Sequence, residues 1–144
     1  MIWAGVDPGT SGAIAFVPEG APPWCVRLNS NLADICDALR EARSRAPVKA
    51  VLEKVHSSPQ MGVRSAFTFG KSFGQCEAML AMAGIPYLLV SPQKWQKDLD
   101  CRTGGDKNVT KRVAAMRFPS LKVTHATADA LLLASWGMQF RPFS

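Results

Sequence analysis

The first third of the chain alternates short apolar runs with turn signals. MIWAGVD (1–7) is apolar up to an aspartate and closes on Pro-Gly, which reads as a buried strand. GAIAFVP (12–18) reads as a second strand, and the glycine-rich link between the two suits a hairpin. A third strand is predicted in WCVRLN (24–29), after the Ala-Pro-Pro break at 21–23. Within NSNLADICDALREARSR the apolar positions 32, 35, 36 and 39 follow a helical period, with Asn31 or Ser30 as the cap. VKAVLEKV (48–55) is an apolar run short enough for a central strand.

Beyond it, HSSPQMGVRS (56–65) is polar and turn-rich and reads as a loop. AFTFGKSFGQCEAMLAMAG (66–84) predicts a helix ending at Gly84, weakened in its first half by Gly70 and Gly74. Those two glycines, four residues apart, form a smooth face that another helix can approach closely. IPYLLV (85–90) reads as a strand and SPQKWQKDL (91–99) as a short helix with Pro92 in its first turn. CRTGGDKN (101–108) is a loop, VTKRVAAMRF (109–118) a helix stopped by Pro119, and ATADALLLASWGM (126–138) a final helix. An antiparallel meander thus leads into parallel crossover units, an α/β pattern with a mixed five-stranded sheet flanked by helices. No repeat, low-complexity tract or linker divides it, so residues 1–144 read as one domain.

Composition narrows the class. With 47% hydrophobic and 19% charged residues the chain is globular rather than disordered. No apolar run reaches the roughly 18 residues of a membrane span, so no membrane partner is expected. The N-terminus lacks a basic segment with a cleavage site, so the expected location is cytoplasmic, not secreted. Cys25, Cys36, Cys76 and Cys101 are widely spaced with no CxxC pair, which points to reduced thiols rather than zinc. A net charge of +6 is compatible with a polyanionic partner without requiring one.

The chemistry lies in three acids set among apolar residues. Asp7 ends the first strand, Glu53 ends the central one, and Asp129 precedes ALLLASW with His125 one turn earlier. A buried acid is costly unless it is paired or ligates a cation. If the first and fourth strands are parallel neighbours, Asp7 and Glu53 emerge at the same sheet edge. His125 and Asp129, four apart, share a helix face that can close the cluster. Such acids raise one another's pKa unless divalent cations neutralise them, and paired hard cations held by carboxylates are a common device for phosphodiester hydrolysis. Taken singly, each has an ordinary reading. Asp7 can be a turn aspartate, Glu53 a solvated strand end or a partner of Lys54, His125 a surface histidine, and Asp129 a response to the helix dipole.

Together these motifs resemble the RuvC-type Holliday-junction resolvases, particularly the short phage-encoded branch, and also the plant organellar resolvases. GVDPGTSGAIAF resembles the first family motif and VLEKVHSSPQMGVRSAFTFGKSFG the second. VSPQKWQKDL and GGDKNVTKRVAAMRFP resemble the basic segments, and HATADALLLASWG the last helix, so the likeness spans nearly the whole chain in order. The resemblance implies a ribonuclease H-like fold and a homodimer that cuts two opposed strands of a four-way DNA junction, leaving 5′-phosphate and 3′-hydroxyl ends. Asp7, Glu53 and Asp129 would hold two magnesium or manganese ions. Bacterial members place an acid or histidine three residues before the last acid, where this chain has Ala126. The phage and plant pattern instead aligns His125, which becomes the fourth catalytic and metal-site candidate, as a ligand or as the group orienting the attacking water. That pattern's Asp is Thr124 here, and its Gly-Arg is Ala126-Thr127.

The same resemblance matches Lys107 to a phosphate-neutralising lysine, with Lys94, Lys111 and Arg112 as nearby DNA contacts or else a solvated basic face. The segment from His56 to Arg64 would enter the junction centre. His56 stands where bacterial members carry a stacking aromatic, a role that Phe67 or Phe69 could also fill unless they are core. Two rivals remain: a less selective nuclease acting on flaps, other branches or RNA–DNA hybrids, and an actin-like ATPase fragment suggested by DPGTSG. The second needs two domains around its nucleotide, and this chain has room for one, so no nucleotide cofactor is expected.

Overall fold

The computed structural model describes residues 1–143. Its sheet has the order β3-β2-β1-β4-β5, built from β1 (Ile2–Asp7), β2 (Ala13–Pro18), β3 (Trp24–Arg27), β4 (Val48–Glu53) and β5 (Tyr87–Val90). The first three strands form the antiparallel meander, and β4 and β5 run parallel to β1. The mixed sheet expected from the sequence is therefore present, with the strand bearing Asp7 at its centre.

Two layers of helices cover it. Helices α1 (Leu32–Arg45) and α2 (Val63–Met82) pack on one face, where Ile2, Ala4, Val6, Leu52, Ile35, Leu39 and Leu80 form one core cluster. Helices α3 (Pro92–Asp98), α4 (Asn108–Arg117) and α5 (His125–Phe140) cover the other face, burying Trp3, Val51, Ala130, Leu132, Ala134 and Trp136. Successive strand residues point to opposite faces, so the even positions of β1 serve the first core and the odd positions the second. Among the described residues no helix is long and apolar enough to cross a membrane.

Several boundaries differ from those expected. The fourth strand ends at Glu53 instead of continuing to Val55, because Lys54 and His56 are exposed and offer the sheet nothing to bury. Helix α2 begins at Val63, so Arg64 lies in its first turn and not in a loop. It runs unbroken through Gly70 and Gly74, because Cys76, Met79 and Leu80 bury its other face. Helix α5 starts at His125, one residue earlier than expected, where Thr124 and Thr127 cap each other's backbone N–H groups.

Candidate active site

The β1–β4 register pairs Val6 with Leu52, so the next residues, Asp7 and Glu53, end neighbouring parallel strands. Asp7 follows Trp3 and Gly5 on the odd face of β1, and Glu53 follows Val51 on the matching face of β4. Both therefore face the layer that contains α5. That helix lies unusually deep. A Cβ on Gly5 would stand 1.9 Å from the Ala130 carbonyl oxygen, and one on Gly137 would stand 2.6 Å from Trp3. The absence of side chains at these two positions lets the α5 backbone rest on the sheet and brings Asp129 down beside the strand ends.

The hairpin GVDPGTSG forms the remaining wall. Gly9 has φ +114°, a conformation that L side chains rarely adopt, and its N–H donates to Ser72 Oγ of α2 at 2.9 Å. Gly12 packs so closely that a Cβ there would meet the Asp7 carbonyl at 1.9 Å. The turn thus closes tightly behind Asp7 and is tied to α2. A cleft of about 830 Å³ opens in front, lined by Asp7, Glu53, Asp129, His125, Lys107, Thr110, Arg64, Thr68, Phe69 and the hairpin.

All three carboxyls are held above their ordinary range. Burial, and then the charges of Glu53 and Asp129, push Asp7 well up, and Lys107 opposes them. Burial lifts Glu53 from 4.5 to about 7 against the lowering effect of a hydrogen bond from Trp95, while Asp129 adds to the rise. Asp129 is raised by burial, against the neighbouring Thr110 hydroxyl, Lys107 and His125. Its Oδ1 is buried without a hydrogen-bond partner. A buried, unsatisfied carboxylate oxygen beside two other acids is an open acceptor position, and an all-oxygen donor set suits hard divalent cations. A hard divalent cation therefore suits the donor set of Asp7, Glu53 and Asp129. Among the described residues no three His, Cys, Asp or Glu side chains stand close enough to enclose one ion.

The sequence candidates divide into two groups. Asp7, Glu53, His125, Asp129, Lys107 and Arg64 share the cleft. His56 is exposed between β4 and α2, and Lys111 and Arg112 lie along α4, all three outside the cleft lining. Lys94 lines a separate groove of about 470 Å³ together with Lys97, Arg102 and Thr103. Phe69 faces the cleft, whereas Phe67 is 73% exposed. Glu53 takes its hydrogen bond from Trp95 Nε1 at 2.7 Å. Trp95, Thr110, Lys97 and Arg102 do not stand out in the sequence. A tryptophan inside the otherwise polar PQKWQKD is the one hint it offers, because a buried indole N–H needs an acceptor.

An antiparallel meander, two parallel crossover strands and acids at the C-terminal ends of β1 and β4 define a ribonuclease H-like α/β fold. The particular likeness is to RuvC. The chain superposes on "T. thermophilus RuvC in complex with Holliday junction substrate" with a TM-score of 0.66 and 18% identity, covering 97% of this chain and 96% of that one. For "Thermus thermophilus RuvC structure" the TM-score is 0.62 at 19% identity, with 98% and 97% covered. No protein-family model matches the chain, and no curated protein matches it in sequence.

Proposed function

We propose that the chain is a structure-selective endonuclease that hydrolyses phosphodiesters in four-way DNA junctions, cutting two opposed strands to leave 5′-phosphate and 3′-hydroxyl ends. The gathering of Asp7, Glu53 and Asp129 at one edge of a RuvC-like sheet, each with a raised pKa, carries this reading. Magnesium or manganese ions held by these three acids would supply a water nucleophile at neutral pH and stabilise charge on the leaving oxygen. Lys107 stands at the cleft with the opposite charge and neutralises the scissile phosphate. His125, exposed in the first turn of α5, orients the attacking water by a hydrogen bond to its ring. Thr68 and Arg64 of α2 hold the strand from the facing wall.

The groove containing Lys94, Lys97 and Arg102 takes the backbone of a junction arm, and such contacts hold DNA without reading its sequence. The segment from His56 to the start of α2 enters the junction centre. Two opposed cuts need two cleft-bearing chains, and α2 offers the surface for a homodimer. Val63 is 90% exposed and Phe67 73%, in line with Gly70 and Gly74 along one face of the helix.

Cleavage of four-way junction, flap, linear duplex and RNA–DNA hybrid with Mg²⁺ tests the proposal. Paired cuts in opposed strands of the junction, lost in Glu53→Gln, are expected. Cutting of flaps and hybrids at the same rate would support the less selective nuclease instead, and equal cutting of linear duplex would refute the resolvase reading.

A further inference from the structure

Trp95 is fully buried, yet its one polar atom is directed at the cleft. Its Nε1–H donates to Glu53 Oε2 at 2.7 Å, joining α3 to the end of β4 across 42 residues of sequence. Helix α3 is seven residues long, too short to persist without tertiary contacts. A second indole secures it from the other side: Trp136 of α5 donates Nε1–H to Asp98 Oδ2 at 2.8 Å. Lys94 also pairs with Asp98, at 3.2 Å. Strand β4, which bears Glu53, and helix α5, which bears Asp129, are thus joined through α3 by two indole–carboxylate bonds.

An indole N–H only donates. It neither ligates a cation nor ionises in the working pH range. Against a carboxylate it therefore occupies one oxygen, fixes the plane of the group and favours its charged form. The terminal torsion of a glutamate is otherwise broad. The simple alternative is that Trp95 is core and needed any acceptor for its nitrogen. Trp3 argues against this, because its Nε1 is also buried and has no partner. Trp95, by contrast, has a protein acceptor, and that acceptor is the carboxylate of the cleft.

We infer that Trp95 is a positioning residue for Glu53: its indole N–H holds Oε2 and fixes the plane of the carboxylate that would ligate a cation in the cleft. This rests on the nuclease reading above. The test is Mg²⁺ titration of the metal-free full chain by calorimetry. Trp95→Phe is expected to weaken Mg²⁺ binding by about tenfold, the usual range for a partner that orients a ligand. In a Glu53→Gln background the same change is expected to have no further effect, whereas a general packing defect would cost the same in both. Wild-type affinity in Trp95→Phe, or equal losses in both backgrounds, would overturn the inference. Should Trp95→Phe not fold, tryptophan-labelled wild-type protein gives a second readout by NMR. Mg²⁺ should then move the Trp95 indole N–H signal while that of Trp24, on β3, stays in place; an unmoved Trp95 signal would overturn the inference. Absence of any Mg²⁺ binding by the wild-type chain would overturn the nuclease reading and this inference together. Binding that Trp95→Phe leaves intact overturns only the inference.

Discussion

The backbone of Ala130 rests on Gly5, with no room between them for a methyl group. Helix and strand therefore meet at backbone distance two residues before Asp7 and one residue after Asp129. The first prediction concerns this contact. Gly5→Ala should lift α5 from the sheet and destabilise the fold by about 3 kcal/mol or more, a fall of about 10 °C in Tm. Thermal denaturation followed by circular dichroism measures it, and a variant as stable as wild type would show that the helix is not held at this depth.

Gly70 and Gly74 should behave in the opposite way, since a Cβ at either meets nothing within 4 Å. Gly70→Leu with Gly74→Leu should fold normally, because leucine is the better helix former. If α2 forms the dimer face, the bulkier side chains should shift the sedimentation profile from dimer to monomer. A dimer unaffected by both changes would place its interface elsewhere.

Glu53 predicts a pH dependence whose sign follows from linkage. Between pH 4.5 and about 7 the folded chain keeps a proton that the unfolded chain has released. The stability of the metal-free protein should therefore fall as pH rises through that window, by an amount on the order of 3 kcal/mol. Asp7 and Asp129 are shifted in the same direction and add to the slope. Urea denaturation at stepped pH should show a flatter profile for Glu53→Gln, and an unchanged slope would contradict the burial of this carboxyl.

Divalent cations should reverse that loss. At pH 8, millimolar Mg²⁺ or Mn²⁺ should raise the Tm of wild-type protein by mass action. Asp7→Asn and Asp129→Asn should remove most of the rise and all cleavage while four-way junction binding persists. A full thermal shift in both variants would move the cation site away from the cleft.

The basic groove gives a salt-dependent prediction. Replacing Lys94, Lys97 and Arg102 with alanine should weaken junction binding about equally for all sequences. The slope of log affinity against log salt should shrink by about 0.9 for each phosphate that the variant no longer neutralises. An unchanged slope in a fluorescence-anisotropy titration would exclude the groove from the DNA path.

The core of the site was legible in the sequence because it obeys short-range periodicities. Asp7 and Glu53 end apolar runs of two strands, and His125 and Asp129 are one helical turn apart. The four residues do share one cleft. Other features depend on partners distant along the chain. Arg64 reads as loop because HSSPQMGVRS is polar and the N-cap of α2, Gly62, has no side chain to announce the helix. Lys111 and Arg112 look equivalent to Lys107 by charge, but Thr110 and Ala114 are the buried positions of α4, and only Lys107, just before its first residue, reaches the cleft. Trp95 could not be matched to Glu53 from spacing alone, because the parallel pairing of β4 with β5 delivers α3 to that strand end.

The position of β1 in the middle of the sheet also bears on how the site fails. Its backbone is bonded to β2 on one side and β4 on the other, so the amides leading to Asp7 belong to the part of the fold that opens last. Their hydrogen exchange should proceed only through global unfolding, unlike that of the outer strands β3 and β5. Heat should therefore inactivate each molecule in a single step, and a partly denatured preparation would be a mixture of intact and dead molecules, not a population of weakened ones.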